Sequence, residues 1–116
     1  MHIKKIILLS CLSGSILMPR VSMADNVTMF VRHEVVDYAK FLKQYNSAET
    51  RGIQKKGGVY AKAVYQNAEN PNDVTVTHDF HSLDAAKAFS TLPELKAVIE
   101  KSGVKGEPTI WFTIKR

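Results

Sequence analysis

The chain has 116 residues and carries 16 Lys and Arg against 11 Asp and Glu, which gives a net charge of +5. This length suits one small domain, and a single cysteine, Cys11, excludes a disulfide within the chain. The basic residues form no long run, so nucleic acid is not an expected partner. A nucleotide-binding glycine loop and a serine-hydrolase signature are also missing from the sequence.

The first 24 residues differ in character from the rest of the chain. Lys4 and Lys5 precede an apolar run that begins at Ile6, and Ser22 and Ala24 are both small. A basic start, an apolar segment and small residues at the cleavage positions predict a secretory signal peptide, residues 1–24, cut after Ala24. The apolar segment is too short for a stable membrane insertion, so we expect a periplasmic or secreted protein.

A lipoprotein signal is the alternative interpretation, because Leu8-Leu9-Ser10-Cys11 has the form of a lipoprotein box with Cys11 lipidated. Cleavage after Ala24 leaves residues 25–116, a domain of 92 residues without cysteine. This domain has 13 basic and 11 acidic residues, a net charge of +2. Its core is small enough that association between chains is expected.

The first half of residues 25–116 has strand and helix patterns in alternation. Val27 to Glu34 alternates as a strand, and Asp37 begins a helical pattern that continues to about Lys56. Val59–Gln66 and Val74–Phe80 are predicted strands. The residues between these two strands, 67–73, are dense in turn formers, so the two strands are predicted to form a hairpin.

Residues 80–108 predict two short helices in succession. Ser82 is a predicted N-cap for the first helix, and Thr91 and Glu94 have the spacing of a capping box for the second, with Pro93 in its first turn. The second helix has an apolar stripe and ends at Gly103. Thr109–Lys115 is the last predicted strand. The order β-α-β-β-α-β, with the second helix split, predicts a ferredoxin-like α+β fold with a four-stranded antiparallel sheet.

Alternation along the strands predicts two different sheet faces. One face is mostly apolar and is predicted to lie under the helices; it contains Met29, Val31, His33, Ala61, Ala63, Val74, Val76, His78, Phe80, Ile110, Phe112 and Ile114. The other face mixes polar and aromatic residues; it contains Thr28, Phe30, Arg32, Tyr60, Lys62, Val64, Thr75, Thr77, Asp79, Trp111 and Thr113. Because no helix remains to cover the second face, we expect a homodimer that packs sheet to sheet around an aromatic-lined cavity.

The sequence resembles the dimeric α/β-barrel superfamily in several segments: His33-x-Val35-x-Asp37-Tyr38, then Arg51-Gly52, then the turn with Pro71, then the run from Ser82 to Phe89 with Gly103-Val104. Within that superfamily it is most similar to small bacterial proteins related to the antibiotic biosynthesis monooxygenases, often called cyclase-like. The resemblance extends over residues 27–115. It implies a dimeric α/β barrel, and an activity that ranges from cofactor-independent oxygenation and cyclisation to haem degradation or no reaction.

His33 is the candidate catalytic residue, because a neutral imidazole at a strand end could take a proton from a phenolic substrate. A structural role, fixing the entry to the first helix, is the alternative for His33. His78 shares the parity of His33, and two histidines on neighbouring strands could bind a metal, but nothing else in the sequence has ligand spacing and no metal is expected. No cofactor is expected either.

The candidate ligand-binding residues are Arg32, Tyr38, Arg51, Tyr60, His78 and Trp111. Trp111 could stack on a flat ligand or simply fill a dimer interface. Arg32 could orient a carboxylate or pair with Asp79. Tyr38 and Arg51 match the resemblance, and Arg51 could equally satisfy carbonyls at a helix end.

Two hypotheses for the function follow. The first is an exported dimer that binds a small hydrophobic or aromatic ligand, such as haem, without a reaction. The alternative is a cofactor-independent monooxygenase-like or cyclase-like enzyme for a small aromatic or polyketide-like substrate, with His33 as general base.

Overall fold

The computed structural model describes residues 26–116, and the predicted signal peptide, residues 1–24, lies outside the described residues. Four strands and four helices follow one another along the chain. They are β1 Val27–Val35, α1 Tyr38–Tyr45, α2 Ala48–Lys56, β2 Ala61–Gln66, β3 Asp73–Phe80, α3 Leu83–Ser90, α4 Pro93–Lys101 and β4 Val104–Ile114. No helix in this part of the chain is both long and apolar enough to cross a membrane.

The strands form one antiparallel sheet in the order β2-β3-β1-β4. The predicted ferredoxin-like α+β fold and the predicted hairpin of β2 and β3 are therefore confirmed. Asn67 stabilises the hairpin loop, because its side-chain oxygen accepts hydrogen bonds from the backbone N–H groups of Glu69 and Asn70. This is the local bonding that makes asparagine common in turns.

The last strand begins earlier than predicted, at Val104 instead of Thr109. The pairing of β1 with β4 shifts register, since Arg32 lies opposite Thr109 whereas Glu34 lies opposite Lys105. Residues 106–108 form the resulting bulge, in which Gly106 adopts a φ of +72°. Glycine accepts this left-handed conformation without the steric cost that a side chain would add.

The first helical region is divided, and the prediction of one helix from Asp37 to about Lys56 was wrong. Asp37 does cap α1, but the helix ends at Tyr45, and Ser47 starts α2 by accepting a hydrogen bond from the N–H of Thr50. A serine side chain competes for free N–H groups and so favours a new helix start. The break changes which side chains of residues 48–56 point inward.

The second helical region is divided as predicted. Ser82 caps α3 by accepting from the N–H of Ala85, and Gly103 follows α4 with a φ of +78°. The predicted capping box at Thr91 and Glu94 was wrong, because α4 has Leu92 at its N-cap without a side-chain hydrogen bond. The hydroxyl of Thr91 instead donates to the carbonyl of Ala88 at the end of α3.

The helices cover one face of the sheet, and the core lies between them. Its fully buried side chains include Val27, Met29, Val35, Val74, Phe80 and Phe89. The predicted helix-facing sides of β1, β3 and β4 agree with the observed register, since Met29 lies opposite both His78 and Phe112.

The prediction for β2 was wrong, because its faces are exchanged. Lys62 and Val64 lie opposite His78 and Val76 and therefore face the helices, whereas Ala61 and Ala63 lie opposite Asp79 and Thr77 on the open face. Both sets of alternate residues in β2 contain apolar side chains, so the pattern alone does not choose between them. A shift of one residue exchanges the faces of a strand.

Candidate functional site

A small cavity lies between the helix-facing side of the sheet and the helices. It has a volume of about 40 Å³, and its walls are mainly aliphatic and aromatic, with Met29, Val31, Val76 and Val98 among them. The polar side chains that reach it are His33, Tyr45, Thr50, Gln54, His78 and Ser102. Polar groups that converge within an apolar enclosure are typical of small-molecule sites.

His78, on β3, is held at one end of the cavity by two polar neighbours. The Tyr45 hydroxyl lies 3.0 Å from Nε2 of His78, and the side-chain amide nitrogen of Gln54 lies 3.3 Å from the same atom. An amide nitrogen can only donate, so Nε2 is the acceptor and the imidazole proton is assigned to Nδ1. Nδ1 of His78 is buried and has no hydrogen-bond partner among residues 26–116.

His33, on β1, lines the same cavity. Its ring packs edge-on against Phe41, with 5.1 Å between the ring centroids, and Nδ1 is again buried without a partner among the described residues. Met29 pairs with His78, and His33 is four residues further along β1, so about 13 Å of strand separates the two histidines. The described residues contain no cluster of three or more metal-ligating side chains.

Burial keeps both imidazoles uncharged. Desolvation lowers the pKa of His78 to about 4, and the nearby Lys62 ammonium acts in the same direction. Desolvation also lowers the pKa of His33 and raises the pKa of Tyr45 to about 12. Near neutral pH the cavity therefore presents two neutral imidazoles and a protonated phenol, which are groups able to accept or donate a proton.

The other polar groups at the cavity are already bonded. The Thr50 hydroxyl donates to the carbonyl of Gln44 over 2.8 Å, and the Ser102 hydroxyl donates to the carbonyl of Val98 over 2.6 Å. Buried polar atoms normally have such partners. The two Nδ1 atoms are the exceptions, since neither has a hydrogen-bond partner among residues 26–116.

Sequence reasoning did not identify Tyr45, Thr50 or Gln54 as site residues. Thr50 and Gln54 face inward because Ser47 begins a new helix, with a new helical phase, after α1. A signal was present in the sequence, since Thr50 and Gln54 are four residues apart and so lie on one helix face. The prediction of one continuous helix assigned a different phase to these residues, so their shared face was not recognised as facing inward.

Arg32 lies on the open face of the sheet, opposite to the cavity. It pairs with Asp73 through two hydrogen bonds of 3.0 and 2.7 Å, and this contact lowers the pKa of the Asp73 carboxyl. The suggested pairing of Arg32 with Asp79 was wrong, because Asp79 accepts a hydrogen bond of 2.7 Å from the Thr28 hydroxyl. Thr28 is the cross-strand neighbour of Asp79, which explains this choice.

Trp111 also lies on the open face and stacks on Phe30, its neighbour across the strands. The ring centroids are 5.1 Å apart, the planes differ by 8°, and Trp111 is 39% exposed. Its side chain is therefore separated from His33 and His78 by the sheet. A ligand in the observed cavity does not touch Trp111.

Arg51 and Tyr60 lie together, but outside the cavity. They line a surface cleft of about 400 Å³ at the β2 edge of the sheet. Tyr60 stacks on His81 with 4.1 Å between the ring centroids. Tyr38 lies at the start of α1 and is half-buried beside Phe41. Of the predicted ligand-binding residues, His78 is the one that lines the cavity with His33.

Comparison with solved structures identifies the same fold in several bacterial proteins. SnoaB from Streptomyces nogalater, a cofactor-independent oxygenase, has a TM-score of 0.65 and 17% sequence identity, with 80% of this chain and 95% of SnoaB covered. A proposed antibiotic biosynthesis monooxygenase from Bordetella bronchiseptica has a TM-score of 0.68 and 15% identity, with coverages of 79% and 98%.

A third neighbour, a proposed antibiotic biosynthesis monooxygenase from Caulobacter crescentus, has a TM-score of 0.64 and 15% identity, with 81% of this chain and 92% of that chain covered. A scan of protein-family models finds no match. A search of curated proteins finds none either. At these identities the similarity establishes the fold. The chain has the ferredoxin-like fold of the antibiotic biosynthesis monooxygenase proteins, and the resemblance in its sequence is confirmed at that level.

Proposed function

We propose that this protein is a cofactor-independent oxygenase-type enzyme that acts on a small aromatic or polyketide-like molecule. The observation that carries the proposal is the pair of buried, neutral imidazoles at the cavity, each with an Nδ1 that has no partner among residues 26–116. A buried polar atom without a partner costs free energy, about 1–3 kcal/mol, so its retention points to a use. The fold shared with SnoaB, itself a cofactor-independent oxygenase, supports the same conclusion.

His33 is the proposed general base. A neutral imidazole removes the proton of a phenol or an activated methylene, and the resulting carbanion-like substrate is electron-rich enough to react with dioxygen directly. For an anthrone-type methylene the step balances as CH2 plus O2 giving C=O plus water. The substrate is oxidised, one oxygen atom remains in the product, and the other leaves as water with the two hydrogens of the methylene.

His78 has a different proposed role. With Nε2 accepting from Tyr45 and Gln54, its Nδ1–H is a donor without a hydrogen-bond partner among the described residues. Such a donor stabilises negative charge that develops on a substrate oxygen, an interaction that is strong in a dry cavity. Both histidines line the cavity, and each is proposed to meet a different atom at the reacting end of the substrate.

The test is oxygen consumption by the purified chain with anthrone and dihydroxynaphthalene probes, followed with an oxygen electrode and by the absorbance of the quinone. Replacement of the base by His33→Asn is expected to lower the rate by about 10²- to 10⁴-fold with the fold retained. His81→Asn, which removes an exposed histidine, is the control. Tight binding of the probes, or of haem, without any oxygen consumption by the unmodified chain would favour the binding hypothesis over the enzyme.

We also propose that the protein is exported and that a second copy covers the open face of the sheet. Export is supported by the pattern of residues 1–24, and processing is tested by the N-terminal sequence of the mature chain, expected to begin at Asp25. Dimerisation is supported by the exposed aromatic residues Trp111 and Tyr65, which are 39% and 58% exposed on the open side of the sheet. A cavity between two such sheets remains a prediction that depends on this dimer.

A further inference from the structure

The cavity is too small to hold a whole aromatic substrate. Its volume is about 40 Å³, whereas a cavity of about 150 Å³ is the size known to accept benzene. A substrate of the proposed class therefore places only its reacting end beside the histidines. The remainder of the molecule must occupy a space that is continuous with the cavity.

A cleft between α4 and β4 adjoins the cavity and would become continuous with it if the side chains between the two spaces moved. Its volume is about 470 Å³, and Leu95, Ile99 and Ile110 line both the cleft and the cavity. These three aliphatic side chains form the partition between the two spaces. The outer part of the cleft carries Lys96, Glu100 and Glu107, so its rim is charged while its floor is apolar.

The local backbone explains why the cleft is open at this point. Gly106 and Pro108, in the bulge of β4, form one wall, and Pro93, at the start of α4, forms part of the other. The bulge interrupts the regular pairing with β1 between Arg32 and Glu34. The glycine and the two prolines have no long side chain that could fill the cleft at these points, and bulges of this kind are frequent beside functional sites.

Two other clefts meet the cavity, but each does so through one polar residue. A cleft of about 500 Å³ at the end of the sheet shares His33 with the cavity and is lined by charged side chains, including the paired Arg32 and Asp73. The cleft at the β2 edge shares Gln54, which is bonded to His78. Entry of an apolar molecule past the three aliphatic side chains leaves no charged or polar group without its water, whereas entry through either of the other clefts would desolvate charged or polar side chains.

We infer that the cleft between α4 and β4 is the outer part of the substrate site, and that Leu95, Ile99 and Ile110 form a gate through which the substrate reaches the histidines. The fitting molecule is elongated and mostly apolar, as in two or more fused rings, with its reacting end inside and a polar group at the charged rim. The substrate class rests on the proposed function. The route itself rests on the shape of the protein and can be tested without turnover.

Diethyl pyrocarbonate labelling tests the route, because this reagent modifies neutral imidazoles that it can reach. Peptide mass spectrometry gives separate rates for His33, His78 and the exposed His81, which is an internal reference. Ile99→Ala removes part of the gate and is expected to speed labelling of the two buried histidines several-fold. Lys96→Trp, at an exposed position, places a ring in the cleft and is expected to slow that labelling and to weaken the binding of 2-naphthol.

The matched control is Ala88→Trp, which fills a cleft of about 270 Å³ that includes Ile53, Gly57 and Phe89. This cleft shares Leu92 with the cleft between α4 and β4 but no residue with the cavity, so the substitution is expected to change neither rate. Equal labelling rates in the unmodified chain, Ile99→Ala and Lys96→Trp would overturn the inference. The inference would also fail if Arg51→Trp, at the β2-edge cleft, were the only variant with slower labelling. If labelling follows the expected pattern and no probe consumes oxygen, the proposed function fails while the route stands.

Discussion

The hydroxyl of Tyr45 lies 3.0 Å from Nε2 of His78 in the interior of the domain, between the helices and the sheet. The two residues come from α1 and β3, so this hydrogen bond joins the two layers. Together with the side-chain amide nitrogen of Gln54, which can only donate to the same Nε2, it leaves the imidazole proton on Nδ1. The same contact thus serves both the packing and the proposed chemistry.

Replacing Tyr45 by Phe tests this contact while the ring remains in place. We expect the free energy of unfolding to fall by about 1 kcal/mol, because His78 loses a donor but keeps the amide of Gln54. The measurement is urea denaturation, with ¹⁵N NMR of the imidazole as a second readout. Tyr38→Phe, in the same helix but partly exposed, is the control. Unchanged NMR shifts of His78 in Tyr45→Phe would contradict the assigned hydrogen bond.

The stability of the protein is expected to fall on mild acidification. The pKa of His78 is lowered from an ordinary value of 6.5 to about 4 by burial, and the pKa of His33 is lowered in the same direction. The unfolded chain therefore binds more protons than the folded chain between pH 6.5 and about 4. The free energy of unfolding falls as pH falls through this window, by up to about 3 kcal/mol from His78.

Urea denaturation across this pH range measures the effect. The Asp73 and Glu49 carboxyls have pKa values lowered from 3.8 and 4.5 in the folded chain, so their effect on stability falls mainly below pH 4.5 and the slope between pH 6.5 and pH 4.5 belongs to the histidines. His78→Gln is expected to flatten the slope, and His81→Gln, at an exposed position, is expected to keep it. A slope in His78→Gln equal to that of the unmodified chain would show that His78 is already charged or solvated in the folded state.

Most of the fold could be predicted from the sequence because its signals are local. Ser82 and Gly103 mark helix ends by side-chain chemistry and by a left-handed φ, and both act as predicted. The capping box predicted at Thr91 does not form, because Leu92 takes the N-cap position of α4. The faces of β2 were predicted wrongly because they depend on the register of its pairing with β3, and residues 59–66 alone do not determine that register.

The site was less predictable, since it depends on the phase of α2 and on contacts between distant elements. His33 and His78 could be placed on one face by alternation, whereas Gln54 reaches His78 only because Ser47 restarts the helix. Trp111 was a candidate because it is aromatic, but the residues next to it in the sequence do not show that the sheet separates it from His33. Such relationships need the assembled fold.

Gly57 and Gly52 provide a paired test of packing around α2. A Cβ added at Gly57 would collide with the buried ring of Phe89, whereas one added at Gly52 meets nothing within 4 Å. We expect Gly57→Ala to lower the free energy of unfolding by about 1–3 kcal/mol through overpacking. Gly52→Ala, in the helix interior, is expected to raise it by about 0.5–1 kcal/mol. Thermal unfolding measures both, and equal effects of the two substitutions would contradict the packing of Phe89 against Gly57.

The stacked pair of Phe30 and Trp111 tests the proposed dimer. These rings lie on neighbouring strands in the open face, and Trp111 is 39% exposed in one copy of the chain. Because a second sheet would bury this apolar area, a charge at Trp111 would be desolvated in the dimer at a cost of several kcal/mol. Trp111→Lys is therefore expected to dissociate the dimer, as measured by native mass spectrometry. Val36→Lys, at a position that is 63% exposed and lies beyond the end of β1, is expected to leave it intact. A monomeric unmodified chain would reject the sheet-to-sheet dimer while leaving the cavity between sheet and helices, which one copy forms alone, as the site to pursue.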